Sequence, residues 1–235
     1  MTSTALLVGG SSEIGMAVLK KLLGPPPYNV ILAGRASGPL WQNAEALREL
    51  GYRVTTVYYD ATLQAVELDG LLAHLADQGP IDLAVVAVGS MSTTSFEDGL
   101  IVNGLAVTLL VHALVQRVTD GPLVLLSSAA AVRPRRSIMA YSLGKQLADS
   151  AAVMLAPQAA ERGVRVLVVR PGFVATRMTD GLRRPPLATT ADGVAERVVR
   201  ALRGRRVVVW APAPMGFAVW LLDRLPKRLL PAELR

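Results

Sequence analysis

The chain has 235 residues, of which 51% are hydrophobic, and a formal net charge of +7. That hydrophobic fraction is sufficient for a large folded core and excludes a chain that is disordered over most of its length. Cysteine is absent and only 2 histidines occur, so disulfide frameworks and thiolate metal sites are excluded and we expect no bound metal.

Seven apolar runs alternate with longer helical patterns, and in chain order they are TALLVG, NVILAG, RVTTVYY, IDLAVVAV, PLVLLSS, VRVLVVRPG and RVVVW. Continuous runs rich in β-branched residues predict strands that are buried on both faces. Helices between such strands predict a parallel, doubly wound sheet. We therefore predict one α/β domain over residues 1–235, a Rossmann-type sheet of seven parallel strands with helices on both faces.

A glycine-rich turn, GGSSEIG over residues 9–15, follows the first predicted strand. Backbone N–H groups at a helix N-terminus bind a nucleotide pyrophosphate where no side chain obstructs the turn. A tight strand-to-helix turn without a ligand is the alternative interpretation. The place of the turn in the first strand–helix unit favours a dinucleotide site, whose residues are then Gly9, Ser11, Ser12, Ile14 and Gly15.

The second and third predicted strands end at residues suited to the adenosine part of a dinucleotide. Enzymes that use the unphosphorylated dinucleotide place an acid after the second strand, whereas this chain has Gly34-Arg35. An arginine can bind a 2′-phosphate through two hydrogen bonds, so we predict NADP(H) in preference to NAD(H); a solvated loop arginine is the alternative. Asp60 is placed either to accept a hydrogen bond from the adenine amino group or to cap the next helix.

Tyr141 and Lys145 form the one Tyr-x-x-x-Lys pair in the chain. Their spacing puts both side chains on one face of a helix. A nearby ammonium favours the phenolate, so we expect a tyrosine pKa below its usual value of about 10 and a proton donor that works near neutral pH. Ser128, at the end of the fifth strand, would lie at the same edge of the sheet. An ordinary helix that carries both residues is the alternative.

Together these residues resemble the short-chain dehydrogenase/reductase family, and the likeness covers nearly the whole chain. It includes the turn, Asp60, a strand that ends at Gly89, Asn103, Ser127-Ser128, Tyr141 to Lys145, Arg170-Pro171-Gly172 and Thr176. The resemblance implies hydride transfer between a nicotinamide and a carbonyl or alcohol. The residues that it implies bind the cofactor include Gly89, Tyr141, Lys145, Pro171 and Gly172.

The resemblance also implies a role for each catalytic residue. Tyr141 would be the general acid in reduction, and Lys145 would hold the nicotinamide ribose and lower the pKa of Tyr141. Ser128 would hydrogen-bond the carbonyl oxygen. Asn103 would position a water for proton relay, although its connection to Gly89 is short for the family, and Thr176 would contact the carboxamide.

Two positions depart from the family pattern. Glu13 stands where the turn normally has its middle glycine, which places a carboxylate near the expected pyrophosphate. At the fourth strand, the usual Asn-Asn-Ala-Gly is replaced by Val-Ala-Val-Gly over residues 86–89, which removes an asparagine that bridges the backbone.

Arginines lie on both sides of the expected substrate mouth. Arg133, Arg135 and Arg136 stand between Ser128 and Tyr141, and a second group, Arg177, Arg183 and Arg184, follows the Pro-Gly motif. Because arginine matches phosphate geometry, the two groups favour an anionic substrate. Solvated loops in an arginine-rich chain are the alternative explanation.

The C-terminal segment, residues 212–235, has an amphipathic pattern. Leu222, Leu225 and Leu229 are predicted to lie opposite a polar helical face formed by Asp223, Arg224, Lys227 and Arg228, with Pro226 as a kink. Such a helix packs on a sheet edge or on a sister subunit, or it contacts a membrane surface.

With VRPRR and VVVWAPAP, these features are similar to one branch of the family, the actinobacterial decaprenylphosphoryl-2-keto-ribose reductases. That resemblance implies a polyprenyl-phosphate keto-sugar substrate in cell-wall arabinan precursor synthesis, and an oxidising partner enzyme that makes the ketone. A reductase of a soluble ketone or an acyl-carrier thioester, and a non-catalytic dinucleotide sensor, are the alternatives.

The remaining expectations concern partners and location. No basic region precedes the first apolar run and no apolar run reaches 18 residues, so we expect a cytoplasmic protein or one at the inner face of the membrane. With 5% aromatic residues, the chain offers little for stacking on bases, and we expect no nucleic-acid partner. The resemblance implies a homodimer or homotetramer.

Overall fold

A computed structural model describes residues 3–224 of the chain, apart from the side chains of residues 64–66 and 223. Its main sheet consists of β1 (Thr4–Val8), β2 (Asn29–Gly34), β3 (Arg53–Tyr58), β4 (Leu83–Val86), β5 (Pro122–Leu126), β6 (Arg165–Pro171) and β9 (Val208–Ala211). All neighbours pair in parallel, in the order β3-β2-β1-β4-β5-β6-β9. The prediction of a seven-stranded parallel sheet is confirmed.

The helices connect these strands and cover the sheet. They are α1 (Glu13–Leu22), α2 (Gly38–Arg48), α3 (Gln64–Ala76), α4 (Phe96–Leu100), α5 (Ala106–Val115), α6 (Ala129–Val132), α7 (Met139–Glu161), α8 (Ala191–Leu202) and α9 (Met215–Arg224). A π-helical turn, Ile101–Leu105, joins α4 to α5, so that residues 96–115 form one continuous helix. Short 3₁₀ turns precede α3 and α7.

Alternate strand residues supply two apolar layers, one on each face of the sheet. Leu6 and Val8 belong to the layer completed by α3, α5 and α7. Ala5 and Leu7 belong to the layer completed by α1, α2 and α8. This two-residue alternation is that of a strand, and apolar residues at both alternating positions are what covering helices on both faces require.

The prediction that every strand is buried on both faces is wrong for β3. Arg53, Thr55 and Tyr58 are exposed, because β3 is an edge strand of the sheet and pairs only with β2. A strand with one neighbour has less protein around it, and its alternating polar side chains reach solvent.

Hydroxyl side chains start the helices that cover the second layer. Ser12 accepts a hydrogen bond from Gly15 N at 3.1 Å, and Thr190 accepts one from Gly193 N at 3.1 Å. An oxygen at this position satisfies one of the N–H groups that the first turn leaves without a helical partner. The serine of the glycine-rich turn therefore also fixes where α1 begins.

One described helix, residues 96–115, is long and apolar enough to cross a membrane by length and composition alone, with a mean hydropathy of 1.8. Val107, Leu110 and Val111 on this helix are fully buried against the sheet and α7. Its hydropathy is therefore that of a helix in the protein core.

The structure describes only part of the predicted C-terminal segment. In α9, Phe217, Trp220 and Leu221 are exposed, and the Arg224 guanidinium lies 3.9 Å from the centre of the Trp220 ring. The predicted positions of Leu225, Pro226, Lys227, Arg228 and Leu229, and of the Asp223 side chain, lie outside the described residues.

Candidate active site

A cavity of about 640 Å³ runs along the carboxyl ends of the strands. Strand β1 is flanked by β2 on one side and by β4 on the other, so the chain winds in opposite directions from this point. Ligands of doubly wound sheets bind in the crevice that opens there. The cavity is lined by residues that follow β1, β2, β3 and β4, together with residues 176–178.

Two glycines of the glycine-rich turn are packed so closely against the residue after β4 that neither position has room for a side chain. Gly9 has a φ of +93°, and a Cβ there would lie 2.7 Å from the carbonyl carbon and oxygen of Ala87. A Cβ on Gly15 would lie 2.6 Å from the Ala87 Cβ. Close packing therefore requires glycine at these two positions. Gly9, Ser11, Ser12 and Ile14 of the turn line the cavity at the N-terminus of α1, a place that fits the pyrophosphate of a dinucleotide.

Glu13 also lines the cavity, and its carboxylate binds the segment after β6. Its Oε2 accepts hydrogen bonds from Arg177 N at 2.8 Å and from Arg177 Nε at 3.2 Å. Arg177 also donates from Nη2 to Ser11 O at 2.7 Å. The carboxylate that departs from the family pattern thus faces a guanidinium, and it joins the glycine-rich turn to the start of the segment that follows β7 (Val174–Ala175).

Arg35 and Asp60 both line the cavity. Arg35 is exposed, and the described part of the chain gives its guanidinium no carboxylate partner. The Asp60 Oδ1 accepts hydrogen bonds from Thr62 N and Thr62 Oγ1, each at 2.9 Å. Asp60 therefore caps the 3₁₀ turn Ala61–Leu63, and it does so at the rim of the cavity.

Lys145 is the most enclosed cation near the cavity, with 4% of its surface exposed. Its Nζ donates to Val88 O and to Leu126 O, each at 2.9 Å, so it joins the ends of β4 and β5. Burial lowers the pKa of Lys145 from 10.5 to about 8, and the Asp149 carboxylate acts in the opposite direction. The ammonium therefore titrates close to physiological pH.

The pKa of Tyr141 is raised, so the predicted lowering is wrong for this structure. Burial is the largest cause, and it outweighs the Ser128 hydrogen bond and the Arg135 charge, both of which lower the pKa. Lys145 Nζ lies 5.9 Å from the centre of the Tyr141 ring. Helical spacing brought the two residues onto one face, but burial of a phenol favours its neutral form.

Ser128 connects this tyrosine to the end of β5. Its side chain accepts a hydrogen bond from Ala130 N at 3.1 Å, which caps α6, and it hydrogen-bonds Tyr141. The structure thus brings Ser128, Tyr141 and Lys145 together at the carboxyl edge of the sheet.

Asn103 is fully buried in the π-helical turn. Its Oδ1 accepts from Ser90 N at 2.8 Å, and its Nδ2 donates to Ser90 O at 2.9 Å and to Gly99 O at 2.8 Å. These bonds hold the segment after β4 in place, where the family pattern has an asparagine that this chain lacks. A π turn of this kind is frequently found at functional sites.

Gly89 brings Asn103 and Lys145 to the cavity wall. A Cβ on Gly89 would lie 3.0 Å from Lys145 Nζ and 3.2 Å from Asn103 Oδ1. Gly89 itself lines the cavity. Lys145 and Asn103 therefore lie directly behind Gly89, and a larger residue at this position would displace them.

Two more glycines set the distance between α7 and the continuous helix of residues 96–115, the central helix. A Cβ on Gly144 would lie 2.7 Å from Asn103 Cβ, and a Cβ on Gly104 would lie 2.9 Å from Gly144 Cα. The backbones of the two helices meet at this point. Sequence reasoning assigned no role to either glycine, because close approach depends on the helix that lies opposite.

The Pro-Gly motif and Thr176 lie at the end of β6 and beyond it. Gly172 N donates to Ala211 O at 2.9 Å, and a Cβ on Gly172 would overlap Met215. Thr176 lines the cavity, and its backbone N donates to Thr179 Oγ1 at 3.1 Å. Near them, β7 and β8 (Thr189–Thr190) form a small parallel sheet that sequence reasoning missed.

The arginines predicted to surround the substrate mouth have different surroundings. Arg135 lies close enough to Tyr141 to lower its pKa, and its backbone N donates to Ser142 Oγ at 3.3 Å. Arg136 is exposed and Arg133 is half-buried. Arg177 and Arg184 line a second cavity of about 350 Å³ beside Thr176, while Arg183 is exposed.

The chain matches one protein family and several known proteins over most of its length. A family model described as short chain dehydrogenase matches residues 3–186. An uncharacterized oxidoreductase of Mycobacterium tuberculosis is 35% identical over 241 residues, covering 96% of this chain and 96% of the relative.

Solved structures match at lower identity and support the fold. A bulky-bulky ketone specific alcohol dehydrogenase from Comamonas testosteroni is 19% identical with a TM-score of 0.76, covering 97% of this chain and 99% of that one. A short-chain dehydrogenase from Sphingobium yanoikuyae in complex with NADPH is 20% identical with a TM-score of 0.75, covering 98% and 99%.

Proposed function

This chain belongs to the short-chain dehydrogenase family, and we propose that it reduces a ketone to an alcohol with NADPH as the hydride donor. Membership makes it an NAD(P)-dependent oxidoreductase. The observation that carries the proposal is the meeting of Ser128, Tyr141 and Lys145 at the carboxyl edge of the sheet, next to a cavity that the glycine-rich turn lines. A panel of ketones, followed by NADPH oxidation, tests it.

Most of the residues that would hold the dinucleotide line one cavity, namely Gly9, Ser11, Ser12, Ile14, Arg35, Asp60, Gly89 and Thr176. The turn at Gly9 to Gly15 would bind the pyrophosphate, Arg35 the 2′-phosphate, Asp60 the adenine and Thr176 the carboxamide. Gly89, Pro171 and Gly172 would shape the nicotinamide end. When bound, the nicotinamide supplies a hydride to the carbonyl carbon.

The chain itself supplies the polar half of the reaction. The Ser128 hydroxyl would donate a hydrogen bond to the carbonyl oxygen, which favours the negative charge that develops there. The Tyr141 hydroxyl would then donate its proton to that oxygen. The Lys145 ammonium and the Arg135 guanidinium both favour the resulting phenolate, and Asn103 would position the water that returns a proton.

We propose further that the substrate carries an anionic group, with a polyprenyl-phosphate keto-sugar of cell-wall precursor synthesis as the specific candidate. Arg135 stands beside Tyr141, and Arg177 and Arg184 line the neighbouring cavity. The exposed Phe217, Trp220 and Leu221 of α9 suit contact with the inner face of a membrane, where a lipid-linked substrate is located.

We also propose one domain over residues 1–235 that assembles as a homodimer or homotetramer. Leu105 and Leu109 are exposed on the central helix, and Leu143 and Leu147 are exposed on the adjacent α7. Neighbouring exposed leucines on two packed helices favour a contact with a second copy. Sedimentation analysis of the purified protein measures the state directly.

The cofactor preference is tested with Arg35→Ala. Loss of a charge-assisted pair of hydrogen bonds to the 2′-phosphate is expected to weaken NADPH binding by about 10- to 100-fold and to leave NADH binding nearly unchanged. A fluorescence titration with each dinucleotide measures both affinities. Arg48→Ala is the matched control, because Arg48 pairs with Glu45 on the exposed side of α2. Equal losses for the two dinucleotides would contradict the assignment.

The anionic substrate is tested with Arg135→Ala and Arg136→Ala. Each is expected to raise the Michaelis constant for a phosphorylated ketone by about tenfold, the typical loss of a charged hydrogen bond. A matched uncharged ketone separates this effect from the influence of Arg135 on Tyr141. Arg200→Ala, on α8 beside Glu196, is the control. Equal changes for both ketones would remove the phosphate role.

A further inference from the structure

A buried carboxylate lies behind the candidate catalytic residues and has no role in the mechanism above. Asp149 is 4% exposed. Its Oδ2 accepts hydrogen bonds from Ser127 Oγ at 2.5 Å and from Arg170 Nε at 3.0 Å. Its Oδ1 accepts from Arg170 Nη2 at 2.6 Å. Both carboxylate oxygens are therefore used, and the arginine binds in a bidentate manner.

The three partners come from three elements that meet at the site. Ser127 directly precedes Ser128 at the end of β5, and its backbone N donates to Val169 O of β6 at 2.8 Å. Asp149 stands one helical turn after Lys145 on α7. Arg170 directly precedes Pro171 on β6. One carboxylate thus joins three elements. These are the end of β5, which leads to Ser128, helix α7, which carries Tyr141 and Lys145, and strand β6, which leads to the Pro-Gly motif.

The arginine is itself held from its other side. Its guanidinium carbon lies 5.5 Å from the centre of the Trp210 ring on β9, and the Trp210 carbonyl accepts from Arg197 Nε of α8 at 3.2 Å. A guanidinium that stacks on an aromatic ring and binds a carboxylate in a bidentate manner has little freedom to move. Strand β9, which carries Trp210, therefore helps to fix Arg170 and through it Asp149.

A buried ion pair is not an economical way to stabilise a protein, since apolar side chains of similar volume usually do as well or better. What such a pair provides is a fixed geometry and a fixed charge. Here the charge lies next to Lys145, where burial disfavours the ammonium and the Asp149 carboxylate favours it. The fixed geometry acts on Ser128, which follows Ser127, and the fixed charge acts on Lys145. The proposed reduction uses both residues.

We propose that Asp149 and Arg170 form a positioning pair that keeps Ser128 and Lys145 in the arrangement required for reduction and keeps the lysine charged. This inference rests on the proposed function, because it assigns the pair to that reaction. Neither residue is expected to touch substrate or cofactor. They act through Ser127 and Lys145.

The test is Asp149→Asn, which keeps the side-chain volume and removes the charge. The groups that face Lys145 or its partners are Asp149 and Tyr141 on α7, Arg170 from β6 and Arg135 from the segment before α7. Without the carboxylate, the pKa of Lys145 is expected to fall below about 8. The decline of kcat/KM at high pH therefore begins at lower pH, and kcat near neutral pH falls by about 10- to 100-fold.

A second readout uses the pH dependence of NADPH affinity, measured by fluorescence, because Lys145 is proposed to bind the nicotinamide ribose. Ser127→Ala removes one hydrogen bond and no buried charge, so it is expected to fold and to lower kcat without moving either pH profile. Arg170→Lys keeps the positive charge and is expected to restore part of kcat relative to Arg170→Met.

The matched control is Asp82→Asn at the amino ends of the strands, on the far side of the sheet from the cavity, where Asp82 Oδ2 accepts from Thr4 N at 2.7 Å. It is expected to lower stability without moving either profile. Unchanged profiles in folded Asp149→Asn would overturn the positioning pair. If the wild-type protein reduces no ketone, the proposed function fails, and a shifted NADPH-binding profile in Asp149→Asn would still support control of Lys145 by Asp149.

Discussion

Replacing Tyr141 by phenylalanine is expected to lower kcat for ketone reduction by about 10²- to 10⁴-fold, the usual contribution of a positioned general acid. NADPH binding is expected to stay nearly unchanged. The substitution removes one oxygen and keeps the ring, so the packing against Lys145, whose Nζ lies 5.9 Å from the ring centre, is retained. The loss therefore measures the hydroxyl alone.

The raised pKa of Tyr141 is compatible with this role. A buried phenol is a weaker acid, but the alkoxide that forms on the substrate oxygen is a much stronger base than a phenolate, so the proton still moves toward the alkoxide. What burial disfavours is the phenolate left behind, whereas the charge of the nearby Arg135 favours that phenolate. The same burial keeps the proton on Tyr141 before the substrate binds.

Single-turnover kinetics with excess enzyme, in parallel with NADPH titration, separates the chemical step from binding. Tyr52→Phe is the matched control, because its hydroxyl donates to Gly24 O at 3.0 Å far from the cavity. That variant is expected to lose some stability and no kcat. A Tyr141→Phe enzyme with kcat within about twofold of wild type would remove Tyr141 as the acid.

The sheet could be predicted because its strands carry an unambiguous pattern. Runs such as LVLL in β5 and VLVV in β6 are fully apolar, and only helices on both faces can cover them. The β7–β8 sheet has two residues in each strand, which is too short for any period to be visible. The run RVTTVYY carries one signal of exposure, the polar Arg53 and Thr55 at alternate positions, whereas the place of β3 at the edge depends on the other strands.

The grouping of Ser128, Tyr141 and Lys145 could be predicted because parallel strands bring their carboxyl ends to one edge. The contacts that surround this group could not. Glu13 and Arg177 are 164 positions apart, and Asp149 and Arg170 meet only where α7 crosses β6. One signal was available, since an acid four residues after Lys145 lies on the same helical face.

The direction of the Tyr141 pKa shift was missed for a related reason. Spacing along a helix shows that a cation is near, whereas the desolvation of a side chain depends on everything packed around it. The same limit applies to Asn103. Its hydrogen bonds to Ser90 and Gly99 exist because a π turn directs the amide toward the segment after β4.

Lys145→Met is expected to lower kcat/KM by about 10²- to 10³-fold, the loss that follows removal of one preorganised charged donor. The substitution takes away the cation that favours the phenolate, and it leaves Val88 O and Leu126 O without their buried donor. In the wild-type protein, kcat/KM is expected to fall as pH rises through about 8, where Lys145 loses its proton. The variant is expected to show no such decline.

The free energy of unfolding provides the second measurement. It is expected to rise with pH in the range where kcat/KM is expected to fall. The folded-state pKa of about 8 lies below the value of 10.5 for a free lysine, so between these values the unfolded chain binds the extra proton. The free energy of unfolding therefore rises with pH in that window, by at most about 1.4 kcal/mol per pH unit. Tyr28, Tyr59 and Tyr141 have raised pKa values and act in the opposite direction only near pH 10 and above.

Urea unfolding between about pH 7.5 and 9.5 measures this slope in both proteins. The wild-type protein is expected to gain stability across the range, and Lys145→Met is expected to lack that gain although its absolute stability is lower. A wild-type slope of zero would mean that Lys145 keeps an ordinary pKa. In that case Lys145 would stay charged across this range, and the decline of activity above pH 8 would have to come from another group.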